Sequence, residues 1–392
     1  MIKKKIAILG STGSIGRSSL QVLKNNKKKF KIILLSANSN YSTIIKQINI
    51  YKPKYFVIND WIVFNKVFKK HNTGKTKIYN KFSDIPSKIE FDITISAIVG
   101  VAGLEPTINF IKKSKKILLA NKESIICGWH LLKKISKKNK TKIIPIDSEH
   151  FSIYQLTRNC KDSDIKKIYI TASGGPFLRK PLTQFKNIKA KEAIRHPNWE
   201  MGKKISIDSS NLMNKVFELI EAYKFFPFDI KKYEILIHPK SLVHAIVLFN
   251  NGQTKFLYHE TDMKIPIANA IHDNEINIKT LIKKKSNFLK DLKHLKFEKV
   301  NKKRFPIVTL LKKKKIYENS GSIILNAGNE ILVESFISNK ISFNAIFQCL
   351  KRLFKDRDFN KYAIKKTPSI KEIYKIDKWA RKKTIDLITN KI

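Results

Sequence analysis

Residues 145–150 read Pro-Ile-Asp-Ser-Glu-His, and the two acids one residue apart, Asp147 and Glu149, are groups whose type and spacing could do chemistry. They follow the apolar run Lys-Ile-Ile-Pro and read as the continuation of a strand. Alternate side chains of a strand share a face, so both acids would project together with Ser148 opposite. Two like charges so placed are costly unless a proton, a cation or open water relieves them. That leaves an acid/base dyad, a divalent-metal site or a solvated strand end. Glu218 and Glu221 lie about one turn apart in the helical pattern KVFELIEA. Such a pair ordinarily marks a solvated face, but one of them could complete an oxygen-rich Mg2+ or Mn2+ site with Asp147 and Glu149.

Other segments point to anions. GSTGSIG, residues 10–16, sits between a strand and a helix, where glycines permit a tight turn and the helix N-terminus favours a pyrophosphate. Its GxxGxxG spacing departs from the usual GxGxxG, and a purely structural turn would look the same. TASGGPF, residues 171–177, is a second glycine turn after a strand, with Ser173 able to donate from the loop. HPNWEMGKKISIDSSNLMNK, residues 196–215, concentrates His196, Ser209, Asn214 and Lys215, all donors to phosphate oxygens, beside Trp199. A tryptophan in a polar loop fits a mobile lid or a core anchor. His238 and His244 lie on or beside a strand, where a lone histidine is ordinarily structural.

The elements that position these groups follow from periodicity. Up to about residue 150, buried non-alternating strands such as IAILG, KIILLSAN, YFVIND and DITISAIVG alternate with helical segments. This predicts an α/β, doubly wound, Rossmann-like parallel sheet with ligand at the strands' C-terminal ends. Beyond it, the strand IKKIYITA, a helix near 209–225, and two strands, ILIHPKSLVHAIVLF and TKFLYHE, about the turn NNGQ predict an α+β region. Residues 273–298 are lysine-rich and weakly patterned, as a linker would be. The remainder has helical apolar spacing and predicts a small bundle.

The 392 residues, 42% of them hydrophobic, suffice for two or three domains with real cores. The apolar run in MIKKKIAILG is too short for a signal peptide, and no run approaches the roughly 20 apolar residues of a membrane helix. Three separated cysteines, Cys127, Cys160 and Cys349, show no metal-ligand spacing and fit a reducing cytoplasm. The net charge of +48 raises binding to nucleic acid as a competing class of function. Its lysines, however, are scattered in short runs with arginine scarce, so we expect no specific nucleic-acid partner and no membrane.

The segments GSTGSIG, LLANKES, PIDSEH, SGGPF, HPNWEMGKKISIDSSNLMNK, IHPKSLVHAIV and NAGNE, in this order, resemble the 1-deoxy-D-xylulose 5-phosphate reductoisomerase family over nearly the whole chain. The resemblance implies an NADPH-dependent, divalent-metal-dependent enzyme of isoprenoid precursor biosynthesis by the non-mevalonate route. It also implies a cytoplasmic homodimer acting on a small phosphorylated sugar, with Mg2+ or Mn2+, and with Co2+ as a further option. Its domains would be an NADPH-binding domain over 1–147, a catalytic domain with a lid loop over 148–272, a linker over 273–298 and a helical domain over 299–392. Carried across by position, the metal ligands would be Asp147, Glu149 and Glu218. Lys122, Ser148, Glu149, Ser173, His196, Ser209, Asn214, Lys215 and Glu218 would face the substrate, and Trp199 and Met201 would sit on the lid. Thr12, Gly13, Ser14, Ile15, Asn121, Glu123 and Gly202 would contact the cofactor. Asn38, Ser39 and Asn40 occupy the place where the family commonly shows Gly-Lys-Asn, so the usual basic contact to the adenosine 2′-phosphate is missing there. A semialdehyde- or homoserine-type dehydrogenase is the alternative enzyme; a covalent semialdehyde mechanism would want an activated cysteine, which the sequence does not offer.

Overall fold

The computed structural model describes residues 2–390 apart from 25, 72–73, 280, 283–287 and 294. They form two compact units: Met1–Ser124, His130–Phe151 and Asp262–Lys285 in one; Ile125–Trp129, Ser152–Thr261 and Ser286–Ile392 in the other. Among the described residues no helix is long and apolar enough to cross a membrane.

The first unit runs β1 (Lys4–Leu9), α1 (Ser14–Lys24), β2 (Phe30–Ala37), α2 (Tyr41–Tyr51), β3 (Tyr55–Ile58), α3 (Trp61–His71), β4 (Lys77–Tyr79), β5 (Phe91–Ser96), α4 (Leu104–Ile111), β6 (Ser114–Leu119), α5 (Lys122–Asn139), β7 (Lys142–Pro145) and the start of α6 (Ser148–Leu156). The strands form one parallel sheet in the order β4-β3-β2-β1-β5-β6-β7. Strands such as Tyr55–Ile58 are buried on both faces, because helices cover the sheet on either side. The chain builds outward from β1 to β4, then crosses back to lay β5 on the other side of β1, and that reversal opens a crevice past the ends of β1 and β5. The described residues between 262 and 282 return to this unit. Their helix, which falls later in chain order, packs on α1, and Lys116 closes it with an ion pair to Asp273 at 2.7 Å.

In the second unit come β8 (Ile165–Ala172), α7 (Ala190–Ala193), α8 (Lys203–Ser210), α9 (Met213–Phe225), β9 (Tyr233–Ile237), β10 (Val243–Phe249) and β11 (Thr254–Tyr258). After α10 (Lys264–His272), the returning helix of the first unit, follow α11 (Phe288–Leu292), β12 (Glu298–Lys299), α12 (Gly321–Ile337), α13 (Phe343–Leu353), α14 (Phe359–Ala363) and α15 (Ile370–Thr389). The strands form a mixed sheet ordered β11-β10-β8-β9-β12, and α12 packs on α13, α14 and α15 as a helical bundle.

Two expectations change. The hairpin about Asn250–Gln253 is present, with Leu248 opposite Thr254. The stretch before it, however, is two strands: β9 pairs parallel to β8 on one side, and β10 pairs antiparallel to β8 on the other. The break falls where Pro239 cannot donate to a ladder and Ser241 takes a left-handed φ of 53°. More consequentially, the strand before Asp147 ends at Pro145 and a helix starts at Ser148. The acids are not alternate residues of a strand. Part of the expected 273–298 linker lies outside the described residues.

Candidate active site

In the first unit the loop after β1 is shaped by Gly10. Its φ is +83°, and a Cβ there would lie 2.6 Å from the Ala97 carbonyl oxygen, so only glycine lets β1 turn against the end of β5. Buried Ser11 anchors the loop by donating to Gln47 Oε1 at 2.6 Å, while Gln47 Nε2 donates to the Ser11 carbonyl at 2.8 Å. Thr12, Gly13, Ser14 and Ile15 stay at or near the surface. Because α1 begins at Ser14, its first N–H groups have no helical acceptor and carry the positive end of the helix dipole. This arrangement at the switch-point crevice fits the diphosphate of a dinucleotide.

Asn38, Ser39 and Asn40 follow β2 and are all exposed. Asn40 caps α2, its Oδ1 accepting from the Thr43 N–H at 3.1 Å. Asn121 caps α5 by accepting from the Ser124 N–H at 2.7 Å, and its amide nitrogen donates to the carbonyls of Ile98 and Gly100. It thereby ties the loops after β5 and β6 together. Glu123 is buried beside it, 3.2 Å from the same amide nitrogen.

Asp147 stands at the N-terminus of α6. Its Oδ1 accepts from the Glu149 N–H at 3.2 Å and faces His150 Nδ1 at 3.1 Å, while Oδ2 lies 3.5 Å from the ammonium of buried Lys122. Ser148 donates to Glu149 Oε2. The helix N-terminus and Lys122 thus relieve the clustered negative charge that a bare strand end would leave to solvent. His150, fully buried, was not singled out from the sequence; its position three residues after an N-terminal Asp was the available signal.

In the second unit Gly175, with φ +65°, brings the turn after β8 onto the end of α8. A Cβ there would lie 2.8 Å from the Ser209 carbonyl oxygen, so the turn carrying Ser173 and the residue Ser209 come together. His196 Nδ1 accepts from the backbone N–H groups of Asn198 (3.2 Å) and Trp199 (3.0 Å). The ring proton therefore resides on Nε2, which donates to Ser173 Oγ at 2.9 Å. That oxygen also accepts from the Gly175 N–H at 3.0 Å, which leaves the serine's own proton free to be donated outward, as an anion requires.

Asn198 donates to the Pro239 carbonyl and lies 3.1 Å from Ser241 Oγ, so the loop bearing Trp199 is pinned at one residue. Half-buried Trp199 meets His244 edge to face at 6.0 Å. Met201 is half-buried, and exposed Gly202 caps α8.

Met213 to Ala222 of α9 are all buried, so Glu218 and Glu221 are not on the solvated face that such a spacing ordinarily marks. Asn214 donates to Glu218 Oε1, and Lys215 pairs with Glu218 Oε2 at 2.6 Å. Further along, half-buried Lys224 donates to the Ile126 carbonyl at 2.8 Å and lies 3.0 Å from Ser322 Oγ. Burial pushes its pKa down to about 8. Asn329, within NAGNE, donates to buried Asp208 on α8 at 2.8 Å, and Arg304 donates to the Phe177 and Lys180 carbonyls below the SGGPF turn. Neither link carries a local sequence signal, since each joins residues more than a hundred positions apart.

A doubly wound parallel sheet whose switch point holds an open glycine turn places the chain in the Rossmann-like class of nucleotide-binding folds. Three family signatures match it: 1-deoxy-D-xylulose 5-phosphate reductoisomerase over residues 6–128, the C-terminal domain of the same enzyme over 143–226, and a further DXP reductoisomerase C-terminal domain over 259–383. A curated reductoisomerase of Pelagibacter ubique is 46% identical over 379 residues, covering 95% of this chain and 97% of its own. One from Wolbachia of Culex pipiens is 38% identical, covering 99% and 98%. Among solved structures, a DOX-P reductoisomerase in complex with NADPH, fosmidomycin and magnesium aligns with a TM-score of 0.91 at 33% identity, covering 98% of each chain. The Zymomonas mobilis enzyme in complex with NADPH aligns at 0.88 and 30%, covering 99% of each. The chain belongs to the 1-deoxy-D-xylulose 5-phosphate reductoisomerase family.

Proposed function

We infer that this chain catalyses the NADPH- and divalent-metal-dependent rearrangement and reduction of 1-deoxy-D-xylulose 5-phosphate to 2-C-methyl-D-erythritol 4-phosphate. The observation that carries the reading is the family match along almost the whole chain, which takes in each motif of the site in order.

Asp147, Glu149 and Glu218 would hold the cation, an all-oxygen donor set suited to Mg2+ or Mn2+. Bound there, the ion supplies Lewis-acid stabilisation of negative charge on substrate oxygens, and the nicotinamide supplies hydride. The chain's own residues bind and orient. Ser173, its proton left free to donate by the bond it accepts from His196, would take the substrate phosphate with His196 positioned behind it and with Ser209, Asn214 and Lys215. Lys122, Ser148, Glu149 and Glu218 would face the reacting end. Binding the phosphate away from the reacting carbons helps orient them, and Trp199 and Met201 would exclude water as the loop closes. Thr12, Gly13, Ser14, Ile15, Asn121, Glu123 and Gly202, with Asn38, Ser39 and Asn40, would line the cofactor.

We further propose the four-part organisation 1–147, 148–272, 273–298 and 299–392, a cytoplasmic location, and no specific nucleic-acid partner. A homodimer is supported by the family reading and by β11, which ends the mixed sheet as an edge strand with Phe256 47% exposed. The test is NADPH oxidation by purified protein with 1-deoxy-D-xylulose 5-phosphate, with and without EDTA. Oxidation that needs substrate and stops on chelation is expected; none with substrate and Mg2+ present would refute the reading.

A further inference from the structure

The segment after β2, where a nucleotide's 2′-phosphate is ordinarily read, carries no basic side chain and has committed several polar groups. Asn40 Oδ1 accepts from the Thr43 N–H at 3.1 Å and lies 3.3 Å from Ser42 Oγ, and the Ser39 carbonyl accepts from the Tyr41 N–H at 2.9 Å. On α1, Arg17 directs a guanidinium nitrogen at the Thr12 carbonyl, 2.9 Å away.

Positive charge arrives from a different element. β3 lies beside β2, and the Asn59 N–H donates to the Ala37 carbonyl at 3.1 Å, so the chain leaving β3 runs alongside the end of β2 before α3 begins. Asp60 is engaged in starting that helix, accepting from the Val63 N–H at 2.9 Å. Helical side chains lean toward the N-terminus, and Lys66 leans back so that its ammonium stands 4.4 Å from the ring centroid of Tyr41. Tyr41 opens α2 and directly follows Asn40. A cation over a ring is held in place without being neutralised, and among the described residues Lys66 has no carboxylate partner. The ammonium is therefore held at the start of α2, over the ring of the residue that follows the 38–40 segment, with its charge available.

We propose that Lys66 reads the adenosine 2′-phosphate of NADPH, supplying from α3 the charge that Asn38, Ser39 and Asn40 lack. The proposal rests on the nicotinamide-nucleotide reading above. Lys66 is a specificity residue, remote in sequence from the segment it serves.

The test uses the full chain and isothermal titration with adenosine 2′,5′-bisphosphate and with AMP, neither of which can turn over. Wild type should prefer the bisphosphate. Lys66→Met keeps the alkyl stem and removes the charge; it should weaken the bisphosphate about fivefold, as expected for one exposed charge pair, and leave AMP unchanged. Lys66→Arg should retain the preference. Lys69→Met removes an equal charge from an exposed position of the same helix and should change neither ligand. If Lys66→Met keeps the full preference, or Lys69→Met loses as much, Lys66 does not read the phosphate. If wild type binds neither nucleotide nor NADPH, the nicotinamide reading itself falls.

Discussion

Replacing Glu218 with Gln separates a metal ligand from a structural acid. Glu218 is 1% exposed and its Oε2 lies 2.6 Å from the ammonium of Lys215, whose side chain is 8% exposed. Breaking a buried pair by removing one charge costs about 3–5 kcal/mol. Glutamine keeps one oxygen that can accept from Lys215 or Asn214, recovering about 1 kcal/mol. The expected net loss of about 2–4 kcal/mol lowers the thermal midpoint of this 392-residue chain by roughly 2–5 °C. Metal binding distinguishes the two roles. Mn2+ at about a hundredfold over its Kd should stabilise wild type by about 2.7 kcal/mol, and this increment should vanish in Glu218→Gln. Glu221→Gln is the control: this acid is equally buried one turn further on, so it should cost stability while keeping the Mn2+ increment. Calorimetry with and without Mn2+, and NADPH turnover at limiting Mg2+, read both effects. A retained Mn2+ increment, or unchanged turnover at limiting Mg2+, in Glu218→Gln refutes the assignment of this residue to the cation.

Trp199→Ala removes the ring that meets His244 and should raise KM and lower kcat, with NADPH affinity nearly unchanged; an equal loss of NADPH affinity in fluorescence titration would place Trp199 in the cofactor pocket or the core. Ser39→Lys should tighten NADPH more than NADH by about 1 kcal/mol, and equal effects on the two would show that this segment does not face the 2′-phosphate. Lys224 titrates near 8 in the folded chain but near the ordinary lysine value, about 10.4, when unfolded. Between those values the unfolded chain binds more protons, so the burial cost is full below pH 8 and is relieved as pH rises toward 10.4. Lys224→Met should therefore remove a rise of stability across that window, seen as the difference between wild-type and variant urea midpoints against pH; parallel curves would contradict it.

The sequence by itself determined the class of fold and the types of residue at the site, because both are written locally. Burial on two faces forces continuous apolar strands, and a turn into a helix facing phosphate calls for the glycines of GSTGSIG. The acids Asp147, Glu149 and Glu218 and the donors Ser173, His196, Ser209, Asn214 and Lys215 were likewise legible as chemistry. Their settings were not. The strand before Asp147 could have run on for all its period showed, and the helix at Ser148 is settled by Asp147 accepting from the Glu149 N–H in its first turn and by the burial of Phe151 and Ile153 in its middle. Spacing left Glu218 and Glu221 open between a solvated face and a metal site, whereas Met213 to Ala222 of α9 are all buried, because only packing against other elements decides which helix faces meet water. The approach of Gly175 to Ser209 and of Lys66 to Tyr41 joins segments dozens of residues apart. Local propensity has no reach over such separations; burying the apolar faces of distant elements together is what sets which side chains meet.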